Sequence, residues 1–271
     1  MEREIGETTI IAVCGKGGVG KTSISAAIVR MLLERGNRTV LAIDADPAVG
    51  LAAALGIDVA VTLNDVRESL IARLEEGARE DRAGLLSLLD YEVWSAVVER
   101  EGLAFLAIGR PESDGCYCQV NDILKDIIGT TAGNFDYVVI DGEAGIEQVN
   151  RRVMETVTHL LLVSDASLRG LNVVKTIRDV ADRTVKYRRA AMVLNRIAGE
   201  GEARRLTLPA GLDCAGWIPE DSAIRSADIA GTSVLSLAES PALAAVRGIL
   251  DRLLESPAPA GKDEQRETAR A

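Results

Sequence analysis

TIIAVCGKGGVGKTS, Thr9 to Ser23, runs from a continuous apolar segment through a glycine loop into a helical pattern. The segment TIIAVC (Thr9 to Cys14) has the length and composition of a strand buried on both faces. The loop Gly15-Lys16-Gly17-Gly18-Val19-Gly20-Lys21-Thr22 fits G-x-x-x-x-G-K-[ST], and a helix is expected from about Thr22 to Arg35. In that setting the glycines let backbone N–H groups wrap phosphates, helped by the positive end of the helix. Lys21 is expected to reach the β- and γ-phosphates of ATP or ADP, and the Thr22 hydroxyl to ligate Mg²⁺. Gly15, Gly17, Gly18, Val19, Gly20 and Ser23 complete the expected nucleotide-binding loop.

The same alternation continues along the chain. RTVLAID (Arg38 to Asp44), LAFLAIG (Leu103 to Gly109), FDYVVID (Phe135 to Asp141), THLLLVSD (Thr158 to Asp165), AAMVLNR (Ala190 to Arg196) and GLDCAGWIP (Gly211 to Pro219) read as strands. Helical stretches lie between most of them, Leu168 to Thr184 most clearly, and the last helix is expected over Ala242 to Leu254. Strands alternating with helices, the strands apolar throughout, imply an α/β fold with a mostly parallel central sheet covered by helices on both faces. Residues 1–256 are expected to form a single domain, with a charged helical insertion over 58–100 and a disordered tail over 257–271.

Composition narrows the function. Of 271 residues, 47% are hydrophobic and only 3% aromatic, so Ala, Val, Leu and Ile must fill the core. The net charge of −10 disfavours nonspecific binding to nucleic acid or anionic membrane. The first residues are polar and acidic and the apolar runs are short, so neither a signal peptide nor a membrane span is expected. Four cysteines without secretory context point to reduced thiols and a cytoplasmic location.

Lys16 is a second lysine in the loop. It could be merely solvated. Lys16-Gly-Gly-Val-Gly-Lys-Thr22 resembles the deviant Walker A loop of the nitrogenase-iron-protein, MinD and ParA class of P-loop ATPases. That resemblance implies a homodimer sandwiching two ATP molecules, with Lys16 reaching the partner's nucleotide much as an arginine finger does. It also casts Asp46, in Asp44-Ala45-Asp46-Pro47, as the residue that orients the attacking water, with Asp44 either structural or supporting the Mg²⁺ ligands from behind. Val138-Val139-Ile140-Asp141 resembles a Walker B strand, so Asp141 would hold Mg²⁺ through water and Gly145 would offer a backbone N–H near the γ-phosphate. A cap or turn role remains open for each aspartate. In the same class the asparagine matching Asn195 hydrogen-bonds adenine, and Arg196, Pro219 and Glu220 fall around the base.

Two of the four cysteines sit one residue apart in PESDGCYCQVND (Pro111 to Asp122). The apolar residues Val120, Ile123, Leu124, Ile127 and Ile128 follow at helical spacing, so Cys116 and Cys118 are expected at a helix N-terminus, where the dipole favours thiolate. One chain offers two such ligands, whereas a closed soft-metal site wants four. A dimer whose twofold axis passes nearby would supply them. Cys14 is expected to pack as a small residue beside the loop, and Cys214 to be buried within a strand.

Gly109-Arg-Pro-Glu112, Gly115-Cys-Tyr-Cys118 with Asn121, and Asp141-Gly-Glu-Ala-Gly-Ile-Glu147 together resemble the CooC-type nickel-insertion ATPases that mature carbon monoxide dehydrogenase, and the related accessory ATPases of acetyl-CoA synthase. This implies a dimeric, Mg²⁺-dependent ATPase that binds Ni²⁺ or Zn²⁺ between subunits at Cys116 and Cys118 and serves a client nickel enzyme. Two rival readings stand beside it. One is an iron–sulfur electron-transfer ATPase like the nitrogenase iron protein; the other is a positioning switch like MinD or ParA.

Overall fold

A computed structural model describes residues 8–75, 91–110, 118–143, 153 and 156–255, the side chains of 74–75 and 118–123 excepted. Eight strands form one sheet: β1 (Thr9–Gly15), β2 (Val40–Asp44), β3 (Val98–Arg100), β4 (Leu103–Ala107), β5 (Tyr137–Asp141), β6 (Thr156–Ser164), β7 (Lys186–Ile197) and β8 (Asp213–Pro219). Their order is β3-β4-β2-β5-β1-β6-β7-β8. Every neighbouring pair is parallel except β3 with β4. The expected mostly parallel α/β sheet is therefore the observed architecture.

The helices of interest are α1 (Lys21–Glu34), α2 (Gly50–Leu55), α3 (Leu63–Glu75), α4 (Cys118–Ala132), α5 (Leu168–Thr184), α6 (Glu200–Ala203), α7 (Ser222–Ala230) and α8 (Pro241–Glu255). Residues in a strand alternate faces, and the alternation sorts the core into two layers. From β1, Ala12 and Cys14 join the layer that includes Leu70, Ile128 and Val174 of α3, α4 and α5. Ile11 and Val13 join the opposite layer, with Ile28, Leu51 and Leu250 of α1, α2 and α8. Strands buried on both faces explain the unbroken apolar runs in the sequence.

Two expectations change. The stretch 58–100 is not helical throughout. It is helical over Leu63–Glu75 and 91–96, but Val98–Arg100 is an edge strand paired antiparallel to β4. Glu101-Gly102 makes the tight turn of this hairpin, with Gly102 at φ 72°. Residues 76–90 lie outside the described residues. Cys214 is exposed rather than buried, because β8 is a sheet edge and its first two residues are both exposed. Cys14 is buried, as its position beside the loop implies. The tail beyond Glu255 is outside the described residues, so its expected disorder stays an expectation.

Candidate functional site

Chain direction creates the site. β5 and β6 lie on opposite sides of β1, so the strand order reverses around β1 and opens a crevice at the carboxyl ends of the strands. Gly15, Asp44, Asp141 and Pro219 end four of these strands, and Asn195 lies two residues before the end of a fifth.

The phosphate loop enters α1 with Gly20 at φ 89°. Lys21 is buried, and its Nζ donates to the Lys16 carbonyl at 3.4 Å, inside its own loop. Thr22 Oγ1 donates to Asp141 Oδ2 at 2.7 Å. Ser25 Oγ donates to Asp141 Oδ1 at 2.8 Å. Ser25 went unread in the sequence, although its position one turn after Thr22 puts both hydroxyls on one helix face.

Asp44 and Asp141 stand opposite each other in register on β2 and β5, both with no exposed surface. Burial, then the nearby Asp141 charge, push Asp44 up to about 7, against backbone N–H groups that favour its ionised form. Burial raises Asp141 to about 6, against the hydroxyls of Thr22 and Ser25 and the Lys21 charge. Asp44 accepts the N–H of Asp46 at 3.1 Å and of Leu51 at 2.7 Å, and so ties together both ends of the segment between β2 and α2. Asp46 accepts the Ala48 N–H at 2.9 Å and lines the phosphate side of the crevice with Lys21, Thr22 and Glu143.

Lys16 is about a third exposed, and its Nζ lies 3.9 Å from Asp165 Oδ2, just beyond β6. Asp165 also accepts from the Ser167 N–H and hydroxyl, and this hydrogen bonding holds its carboxyl below the usual range despite partial burial. No motif pointed to Asp165, because its link to Lys16 spans most of the chain.

The base side is a cavity of about 500 Å³, whose lining includes Asn195, Arg196, Ile218, Pro219 and Glu220. It adjoins the phosphate-side cavity of about 540 Å³, with Gly20, Ser23, Arg196, Ile224 and Asp228 common to both. Asn195 does not point freely into the base cavity. Its Nδ2 donates to the Val19 carbonyl at 2.7 Å. The two cavities together suit a nucleotide, and the hydroxyl and carboxylate oxygens of Thr22 and Asp141 suit a hard cation such as Mg²⁺.

The structure thus gathers Lys21, Thr22, Asp46, Asn195, Arg196, Pro219 and Glu220 around one crevice, with Asp141 hydrogen-bonded to Thr22 and Lys16 bonded to Lys21 through its carbonyl. Gly145 and Cys116 fall outside the described residues. Cys118 begins α4, which places it at a helix N-terminus, but its side chain is also outside that description. Among the described residues no group of three or more His, Cys, Asp and Glu could hold a metal ion. Among them, too, no helix is long and apolar enough to cross a membrane.

Residues 10–234 match the CobQ/CobB/MinD/ParA nucleotide binding domain. The chain belongs to this family. As a member of the CobQ/CobB/MinD/ParA family it is a nucleotide-binding P-loop ATPase. An uncharacterized ATP-binding protein of Methanocaldococcus jannaschii is 36% identical over 241 residues, covering 85% of this chain and 92% of that protein. The carbon monoxide dehydrogenase accessory protein CooC of Rhodospirillum rubrum is 33% identical over 243 residues, covering 86% of this chain and 90% of CooC. Among solved structures, the septum site-determining protein MinD of Pyrococcus horikoshii, complexed with Mg-ADP, superposes with a TM-score of 0.64 at 22% identity, covering 92% of this chain and 96% of that one. That likeness shows the shared fold.

Proposed function

We propose that this family member is an Mg²⁺-dependent, dimeric ATPase that carries nickel or zinc as cargo between its subunits and assists nickel insertion into carbon monoxide dehydrogenase or a related metalloenzyme. The observation that carries the reading is the 33% identity to CooC across 86% of the chain, together with Cys116-Tyr117-Cys118 leading into α4.

In this reading the N–H groups of the loop and Lys21 bind the phosphates, and Thr22, with Asp141 through water, would hold Mg²⁺. The ion supplies charge neutralisation at the phosphates when bound. Asp46 orients the attacking water, and Gly145 adds a backbone donor. Lys16 leaves its own Asp165 and crosses to the partner's nucleotide. Asn195 with Pro219 and Glu220 surrounds the base. ATP binding closes the dimer and brings two Cys116/Cys118 pairs together, and hydrolysis reopens it and loosens the four thiolates. Thiolates bind Zn²⁺ as well as Ni²⁺, so zinc competes with nickel for the four-thiolate site.

The test is metal content against oligomeric state, with ADP and with ATP. Wild type is expected to hold one Ni²⁺ or Zn²⁺ per ATP-bound dimer, and Cys116→Ser/Cys118→Ser none. Retention of one metal per dimer by the double variant would sink the proposal. Because the fold is shared with MinD, a nucleotide-gated positioning switch is the second reading. ATP-dependent co-sedimentation with liposomes, unaffected by loss of both cysteines, would favour it.

A further inference from the structure

We infer that Asn195 and Arg196 shape the phosphate loop itself, as positioning residues, in addition to any contact they make with the base. The two side chains grip two consecutive loop carbonyls. Asn195 Nδ2 donates to Val19 O at 2.7 Å, and Arg196 Nη1 donates to Gly18 O at 3.1 Å. Asn195 is buried, and a Cβ placed on Gly20 would sit 2.4 Å from its Nδ2, so the amide lies flush against the loop backbone.

The backbone is specialised to make this grip. The register between β7 and β8 slips after Asn195: Asn195 pairs with Ile218 and Ile197 with Pro219, leaving Arg196 as an extra residue. Arg196 takes φ 60°, a left-handed conformation that residues other than glycine seldom adopt. Bulges of this kind re-aim side chains next to binding sites, and this one turns the guanidinium back over the loop. The Arg196 N–H then donates to Asn195 Oδ1 at 3.0 Å, which fixes the amide with its N–H₂ toward Val19.

The consequence follows from peptide geometry. A trans peptide is planar, with its C=O and N–H pointing in opposite directions, and no peptide bond among the described residues is cis. Holding the Gly18 and Val19 carbonyls on the Asn195/Arg196 side therefore aims the N–H groups of Val19 and Gly20 the other way. N–H groups at these loop positions are the ones that cradle phosphates in such loops. The same two residues line the base cavity. One short segment after β7 thus couples the base half of the crevice to the phosphate half, and the loop is set for phosphate before any base arrives.

The inference rests on the loop being the nucleotide site, and Mg-ATP binding by wild type checks that separately. The distinguishing probe is Mg-tripolyphosphate, which has the phosphates and no base or sugar. Calorimetric titration of the full chain with both ligands is expected to show wild type binding each. Asn195→Ala should weaken Mg-tripolyphosphate on the order of tenfold, for one buried hydrogen bond and its stranded acceptor, and Mg-ATP by at least that factor. Asn195→Leu, similar in volume and without a donor, serves if the alanine variant does not fold. Arg196→Ala, on an exposed side chain, should weaken both ligands by a smaller factor. A variant at Asn195 that loses Mg-ATP affinity while keeping Mg-tripolyphosphate affinity would overturn the inference, since Asn195 would then act on the base alone. So would unchanged affinity for both, or a wild type that binds Mg-ATP but not Mg-tripolyphosphate.

Discussion

Lys16 of the phosphate loop and Asp165 of the same chain form an ion pair, Nζ to Oδ2 at 3.9 Å. The lysine proposed to act on a partner's nucleotide is thus held at home by its own subunit. Both groups are about a third exposed, so the pair is weak and easily exchanged for a phosphate of greater charge. Action across the dimer has a clear genetic signature. Lys16→Ala and Asp46→Ala homodimers should each be inactive. Equimolar mixing should restore about a quarter of wild-type ATPase activity, since half the dimers are mixed and each has one complete site. If Lys16 serves its own subunit's nucleotide, the mixture stays inactive.

Ser25 and Thr22 satisfy the two oxygens of Asp141 from one face of α1. Ser25→Ala removes the buried donor to Oδ1 at no cost in shape. The expected loss is about 1–2 kcal/mol, which lowers the melting temperature by about 2–8 °C for a domain of this size. The loss should shrink at low pH, where a protonated Asp141 needs less stabilisation. Differential scanning calorimetry of the ligand-free protein at pH 5.5 and pH 8 reads both effects.

Asp44 and Asp141 give ligand-free stability a definite pH dependence. Their folded values, about 7 and about 6, lie above the ordinary aspartate value near 3.8. Between those limits the folded chain binds more protons than the unfolded one, so stability falls as pH rises. The contribution is full below about 4 and is lost as pH passes through 6 and 7. Without nucleotide or Mg²⁺ the protein should melt at a lower temperature at pH 8 than at pH 5.5, and Asp44→Asn should flatten that slope. On the acid side Glu34, Asp136, Asp165 and Asp221 have lowered values and act in the opposite sense, so their stabilisation is lost as pH falls through their depressed range. A melting temperature that rises steadily from pH 5.5 to pH 8 would contradict this assignment.

Much of the crevice was legible because its parts are local. The loop, the strand before it and the helix after it are contiguous, and Asp141 ends an apolar run that can only be a buried strand. Val98–Arg100 was not legible as a strand, because three residues with an exposed face carry no periodic signal and the pairing with Leu103–Ala107 depends on one glycine turn. Cys214 was misjudged because apolar neighbours do not reveal which strand forms a sheet edge. Asp165 and Ser25 carry no motif; their meaning is a distance to another residue.

The sequence by itself determined the alternation of strand and helix, the phosphate-binding loop and the family, because these depend on short-range spacing and on apolar runs. Only the tertiary structure decided how distant segments meet at the loop. It set Asp44 against Asp141, laid Asp165 beside Lys16, and brought Asn195 and Arg196 onto the Val19 and Gly18 carbonyls. The physical reason is the order of the strands: a parallel sheet collects the carboxyl ends of strands far apart in sequence along one edge, and no local pattern records which neighbours that order creates.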